Sequence, residues 1–178
     1  MSKECIWYIS KYVVPSNNFT TGGRGYMLMR ELAKLGYTCL IFASNSSEYS
    51  QTPDMKVSYQ KEMQDGLSFW WVRTLKYVGA RSLKRILSWL HFEWRLLLMP
   101  KSDLPKPDVI VVSSLSILTI FNGFILRRIF GCKLIFEVRD IWPLTLTEEG
   151  GFSKANPFIF CLSLVEKLGY KYSDSIVG

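Results

Sequence analysis

Short apolar runs recur along this 178-residue chain, separated by polar or glycine-bearing stretches. Residues 5–10, 38–43, 67–73, 109–112 and 133–138 are apolar at nearly every position, as strands covered on both faces are. Between them lie segments with helical spacing. Over residues 24–35, Tyr26, Met29, Leu32 and Ala33 make one stripe, with Gly36 as its stop. Over 115–130, Leu118, Phe121, Ile125 and Ile129 make the predicted inward stripe. Residues 80–99 and 157–172 read as further helices, and 175–178 begins a sixth strand. The polar stretch 46–66, with Pro53 and alternating charge, reads as a long surface loop, 77–79 as a turn, and 145–154 as another loop. Strands alternating with helices predict the α/β class, with a doubly wound parallel sheet.

Such a sheet places ligands in the crevice beyond the carboxyl ends of its strands. One strand end stands out. The run 133–143, Lys-Leu-Ile-Phe-Glu-Val-Arg-Asp-Ile-Trp-Pro, delivers Arg139, Asp140 and Trp142 to one loop, and Pro143 stops the strand. Asp140 suits accepting a hydroxyl proton or a hydrogen bond, if its surroundings tune it. Arg139 suits holding a phosphate bidentately, and Trp142 offers a ring face for stacking. The alternative is structural: an Arg139–Asp140 contact tying the loop, Asp140 capping the next turn, and Trp142 in the core. Glu148 and Glu149, before Gly150 and Gly151, either line the crevice or are simply solvated. After the first strand, Gly22 and Gly23 open a helix, where free N–H groups and the helix dipole suit a phosphate. They serve a plain tight turn equally well. The run is Gly-Gly-Arg-Gly rather than GxGxxG, and Ser44 and Asn45 stand where an acidic ribose ligand belongs, which disfavours a dinucleotide site.

Composition narrows the partners. A hydrophobic content of 48% with 15% aromatics excludes a disordered chain, and the length suits one domain with a substantial core. The formal charge of +7 favours anionic partners: an anionic membrane, sugar-nucleotide phosphates or nucleic acid. Cys5, Cys39, Cys132 and Cys161 have no CxxC spacing and read as reduced core cysteines in a cytosolic compartment. His91 is the only histidine, which leaves almost no room for a histidine-based metal site, and among apolar neighbours it reads as a packed residue. The apolar start is too short for a signal peptide. Segment 108–126 carries serines, Thr119 and Asn122, and reads as a buried strand and helix rather than a membrane span. Residues 80–99 interleave Arg81, Lys84, Arg85 and Arg95 with Trp89, Trp94 and several leucines. That composition fits a helix lying on an anionic membrane, each cation adding about 1 kcal/mol. It also fits a core helix whose charges face water.

The order of elements, Gly22-Gly23 before a helix bearing Leu32-Ala33-Lys34-Leu35-Gly36-Tyr37, and the run Glu137-Val138-Arg139-Asp140-Ile141-Trp142-Pro143 resemble the N-terminal half of family 4 glycosyltransferases of the GT-B fold. The similarity is to the bacterial branch that builds cell-surface polysaccharide, the N-acetyl-fucosamine transferase group, and covers nearly the whole chain. It implies a Rossmann-like acceptor-binding domain over 1–178, facing a C-terminal nucleotide-sugar domain that carries the acidic donor motif. The strand that breaks off at Gly178 fits a piece of a longer protein, expected to be inactive alone. The resemblance further implies retaining transfer without metal or cofactor from a nucleotide sugar, whose diphosphate reaches Gly22 and Gly23. The acceptor would be a polyprenyl-diphosphate-linked saccharide, and the enzyme peripheral at the inner face of the cell membrane. Many members place a histidine at the strand tip where this chain has Arg139 and Asp140.

Three other readings compete. A sugar-nucleotide 2-epimerase shares the layout, but it needs further acid and base residues. A basic membrane-surface module without catalysis fits the charge. A nucleic-acid module fits the charge too, but no RNP-type or helix-turn-helix signature accompanies it.

Overall fold

The computed structural model describes residues 4–16, 23–46, 52–77, 83–141 and 156–178. Its strands are β1 (Cys5–Ile9), β2 (Thr38–Ser44), β3 (Tyr59–Gln64), β4 (Leu67–Val72), β5 (Val109–Ser113), β6 (Lys133–Glu137) and β7 (Ser175–Val177). The helices are α1 (Arg24–Lys34), α2 (Leu83–Leu98), α3 (Thr119–Phe130) and α4 (Pro157–Tyr172), with a 3-10 turn at Ser114–Ser116. The strands form one sheet in the order β3-β4-β2-β1-β5-β6-β7. All neighbours are parallel except the β3–β4 pair. From β1 the chain winds outward to β2 and β4, then crosses back to β5, β6 and β7. The order therefore reverses between β1 and β5, and such a switch point opens a crevice at the carboxyl edge. This is the doubly wound, Rossmann-like sheet predicted from the alternation of elements.

Two cores flank the sheet. Alternate residues of β1 divide between them: Trp7 and Ile9 join Phe92, Leu96, Ile120 and Leu162 from α2, α3 and α4. Ile6 and Tyr8 join Tyr26 and Met29 of α1 on the other face.

Three expectations need correction. Within 46–66, residues 59–64 form a strand rather than loop. β3 is polar because it is an exposed edge, where Lys61 and Glu62 also discourage pairing with another chain. Asp65 and Gly66 close its hairpin, both with positive φ (50° and 80°) as a primed turn demands. The stripe assigned to α3 points outward: Phe121, Ile125 and Ile129 are exposed, while Ile120, Asn122, Gly123 and Leu126 face inward. This helix is apolar on both sides, so periodicity alone selects neither. Finally, Cys5 and Cys39 are buried and Cys132 half-buried, but Cys161 is exposed; all four are free thiols.

Candidate active site

The carboxyl edge gathers the ends of β1, β2, β4, β5 and β6. At the end of β6 the backbone is fixed by one hydroxyl. Ser114 Oγ, just past β5, accepts from the amides of Arg139 (2.7 Å) and Asp140 (3.0 Å) and donates to the Asp140 carbonyl (3.2 Å). The Val138 amide donates to the Val177 carbonyl (2.7 Å), tying the same tip to β7. Arg139 is left exposed and Asp140 half-buried, so a group entering the crevice can reach both.

The glycine turn is joined to this tip by residues that sequence reasoning missed. Glu137, the last residue of β6, is buried. Its Oε2 accepts from the Tyr8 hydroxyl, and its Oε1 stands 3.5 Å from Arg24 Nε. Arg24 opens α1 and also donates to the Gly178 carbonyl (3.1 Å). Burial, and then the Glu137 carboxylate, push the Tyr8 phenol far up, so it remains a donor. Gly25 makes the arrangement possible: a Cβ there would lie within 2.5 Å of Tyr8 Cε1 and closer still to Cζ and the hydroxyl. Gly23 caps α1 in extended conformation, accepting from Met27 N (3.0 Å) and donating to Val14 O (3.1 Å). Strand polarity thus brings Gly23 and the Arg139–Asp140 tip to one edge. The signal for the missing residues was present as Arg24 and Gly25 in the Gly-Gly-Arg-Gly run and as a carboxylate at the end of an apolar strand.

A second polar cluster sits across the edge. Lys11, just beyond β1, is fully buried. It donates to the Ser46 carbonyl (3.0 Å) and lies over the rings of Tyr12 (4.7 Å) and Tyr77 (5.1 Å). Burial, reinforced by the Arg85 charge, lowers its amine to about 7. Glu93 of α2 accepts from Thr119 (2.7 Å), Asn122 (2.6 Å) and Ser116 (3.4 Å), yet burial pushes its carboxyl up to about 7. The first half of α2 rises past the strand ends as a wall. Its Trp89 donates to the Tyr12 hydroxyl, Ser88 to the Leu75 carbonyl (2.8 Å), and His91 Nδ1 accepts from the Leu75 amide (3.0 Å). Burial lowers the His91 pKa, in keeping with an acceptor nitrogen.

A cavity of about 500 Å³ opens at this edge, lined by Asn45, Arg73, Thr74, Lys76, His91 and Arg95 among others. Four strand spacings, roughly 19 Å, separate it from the β6 tip, so one sugar ring cannot occupy both. A cavity of about 710 Å³ lies at the opposite, amino edge, by Asp108, Lys133 and Asp174, away from this chemistry.

Of the residues assigned to a membrane-contacting helix, Lys84 and Trp94 are exposed. Trp89 is buried at 4% exposure and cannot reach a bilayer. Arg85 is half-buried over the Trp89 ring (5.3 Å) and Arg95 over the Tyr59 ring (5.4 Å). Gly22, Arg81, Trp142, Glu148 and Glu149 lie outside the described residues. Among the described residues no group of histidine, cysteine, aspartate and glutamate could hold a metal ion, and no helix is long and apolar enough to cross a membrane.

No family model matches the chain, and no curated protein matches it. Solved structures do. Sucrose-phosphate synthase from Thermosynechococcus elongatus superposes with a TM-score of 0.58 at 14% identity, over 98% of this chain and 42% of that one. The E. coli trehalose-6-phosphate structure bound with UDP-2-fluoro glucose gives 0.55 at 12% identity, over 89% of this chain and 37% of that one. The fold is therefore that of the Rossmann-like domains of GT-B structures. The chain spans less than half the length of either of these two structures.

Proposed function

We propose that this chain is the N-terminal, acceptor-side domain of a retaining glycosyltransferase that moves a sugar from a nucleotide-sugar donor to a lipid-linked saccharide at a membrane surface. The observation that carries the reading is the shared edge: the glycine turn and the Arg139–Asp140 tip meet there, joined through Tyr8, Glu137 and Arg24. The GT-B fold, shared with a structure bound to UDP-2-fluoro glucose, supports it.

In this reading the diphosphate of the donor lies against the α1 start, where Gly22, Gly23 and the helix dipole meet negative charge. Arg139, exposed beside it, takes a phosphate oxygen. As the bond from sugar C1 to the diphosphate breaks, the acceptor oxygen bonds to C1 on the same face. Its proton is held by Asp140 or passes to the departing diphosphate. Ser114 keeps Asp140 in place, since the amides of Arg139 and of Asp140 itself donate to its hydroxyl. A second, nucleotide-binding domain across the crevice completes the enzyme. Trp142, Glu148 and Glu149 complete the acceptor side, and Lys84 and Trp94 of α2 rest against the inner leaflet of the cell membrane.

The test is transfer by the two-domain enzyme. Asp140→Ala is expected to lose about 10²-fold or more in turnover. Unchanged turnover rejects Asp140, and epimer formed from nucleotide sugar alone, with no acceptor, rejects the transferase reading.

A further inference from the structure

The helical layer formed by α2, α3 and α4 should be hidden from water on one side only, the side facing the sheet. It is apolar on the other side as well. On α2, Leu87, Leu90, Trp94 and Leu98 follow one another at helical spacing and are each more than half exposed. On α3, Phe121, Ile125 and Ile129 form a parallel exposed stripe, and on α4 Phe160 and Leu164 do the same, Phe160 at 71%. The helices are adjacent, α3 packing against both α2 and α4. Together the nine side chains expose roughly 800 Å² of apolar surface, taking about 180 Å² for each and half of it open. A soluble monomer's largest patch is about 300–600 Å².

The charges on this layer have one sign. Among its described residues the exposed charged groups are Lys84, Arg128, Lys167 and Lys171. Both carboxylates of the three helices are turned away from water. Glu93 is bound by Thr119, Asn122 and Ser116, while Glu166 is 8% exposed and accepts from the Tyr170 hydroxyl (3.0 Å). An apolar face fringed by cations alone complements the acyl boundary and negative headgroups of an anionic leaflet.

We infer that the whole outer face of α2, α3 and α4, rather than α2 by itself, is a docking surface for an anionic lipid leaflet. Leu87, Leu90, Trp94 and Leu98 enter the headgroup region beside the stripes of α3 and α4, and Arg85 and Arg95 are held back on Trp89 and Tyr59. This deepens the membrane part of the function proposed above and rests on it.

The experiment is flotation of the 178-residue chain with phosphatidylcholine vesicles, with and without phosphatidylglycerol, in the absence of any sugar ligand. Binding is expected to the phosphatidylglycerol vesicles and to weaken roughly ten-fold in each of Trp94→Ser, Ile125→Ser and Phe160→Ser. These positions are exposed, and unfolding midpoints checked alongside are expected to stay at the wild-type value. Lys84→Gln with Lys171→Gln is expected to remove the preference for phosphatidylglycerol. Absence of binding overturns the proposal. So does wild-type binding by Ile125→Ser and Phe160→Ser with loss in Trp94→Ser, which confines contact to α2. A self-association that the same substitutions abolish overturns it too, since the face then pairs with a second copy. Because no donor or acceptor is present, failure here leaves the Asp140→Ala transfer assay to stand or fall separately.

Discussion

Replacing Gly25 by alanine sets two expectations of opposite sign against each other. Gly25 lies in the first turn of α1, and helix propensity alone favours alanine over glycine by about 1 kcal/mol. The structure opposes this. The added Cβ would lie within 2.5 Å of Tyr8 Cε1, where an ordinary contact begins near 3.4 Å, so ring or helix must shift by about 1 Å. Tyr8 is fully buried and its hydroxyl is bound to Glu137, so the ring has little freedom to swing aside. Overpacking of this kind costs about 1–3 kcal/mol, and loss of the bond to a buried carboxylate adds about 1–3 kcal/mol. After the propensity gain is subtracted, Gly25→Ala is expected to destabilise the chain by about 1–5 kcal/mol, lowering the melting temperature by roughly 2–20 °C. Urea denaturation followed by Trp fluorescence measures it directly. Stability equal to or above wild type would refute the packing of Tyr8 beneath α1, and with it the link between the glycine turn and the β6 tip.

Two other outcomes follow from the same edge. The carboxyl of Glu93 is raised from 4.5 to about 7 in the folded chain, so between those values the native state binds more proton than the unfolded one. Stability contributed by that proton is complete below about pH 4.5 and is lost as the pH rises through about 7, with a slope of at most about 1.4 kcal/mol per pH unit. Glu93→Gln is expected to remove that slope in denaturation series across this window, and a slope that persists refutes the assignment. Ser114→Ala takes away the acceptor for two amides; hydrogen exchange is expected to speed at Arg139 and Asp140 but not in β5, and unchanged protection would show that the hydroxyl does not fix the tip.

The sheet was legible because its central strands are apolar at nearly every position. Cys5–Ile9 and Val109–Ser113 carry residues that must be covered on both sides, and helices on both faces provide that cover. β3 was not, because an edge strand has no covered face to reveal; only Asp65-Gly66 announced it. Trp89 and Trp94 look alike in sequence, yet five positions on a helix turn them to different sides, one under Tyr12 and one to the outside. At the carboxyl edge, Arg139 and Asp140 stood out in the sequence because charges at the end of an apolar strand are conspicuous. Glu137 closes the same strand, and its carboxylate was visible there but its partner was not. Its significance comes from Tyr8, 129 positions away, and no local pattern carries such a pairing.

The corner made by Tyr8, Arg24, Gly25 and Glu137 also restricts the paths open to descendants of this sequence. Losing the phenol takes a donor from a buried carboxylate, losing the carboxylate leaves a buried phenol without its acceptor, and a side chain at position 25 evicts the ring. Drift there has to proceed by paired or triple exchange, so these four positions should vary as a block among homologues while the exposed residues nearby change one at a time.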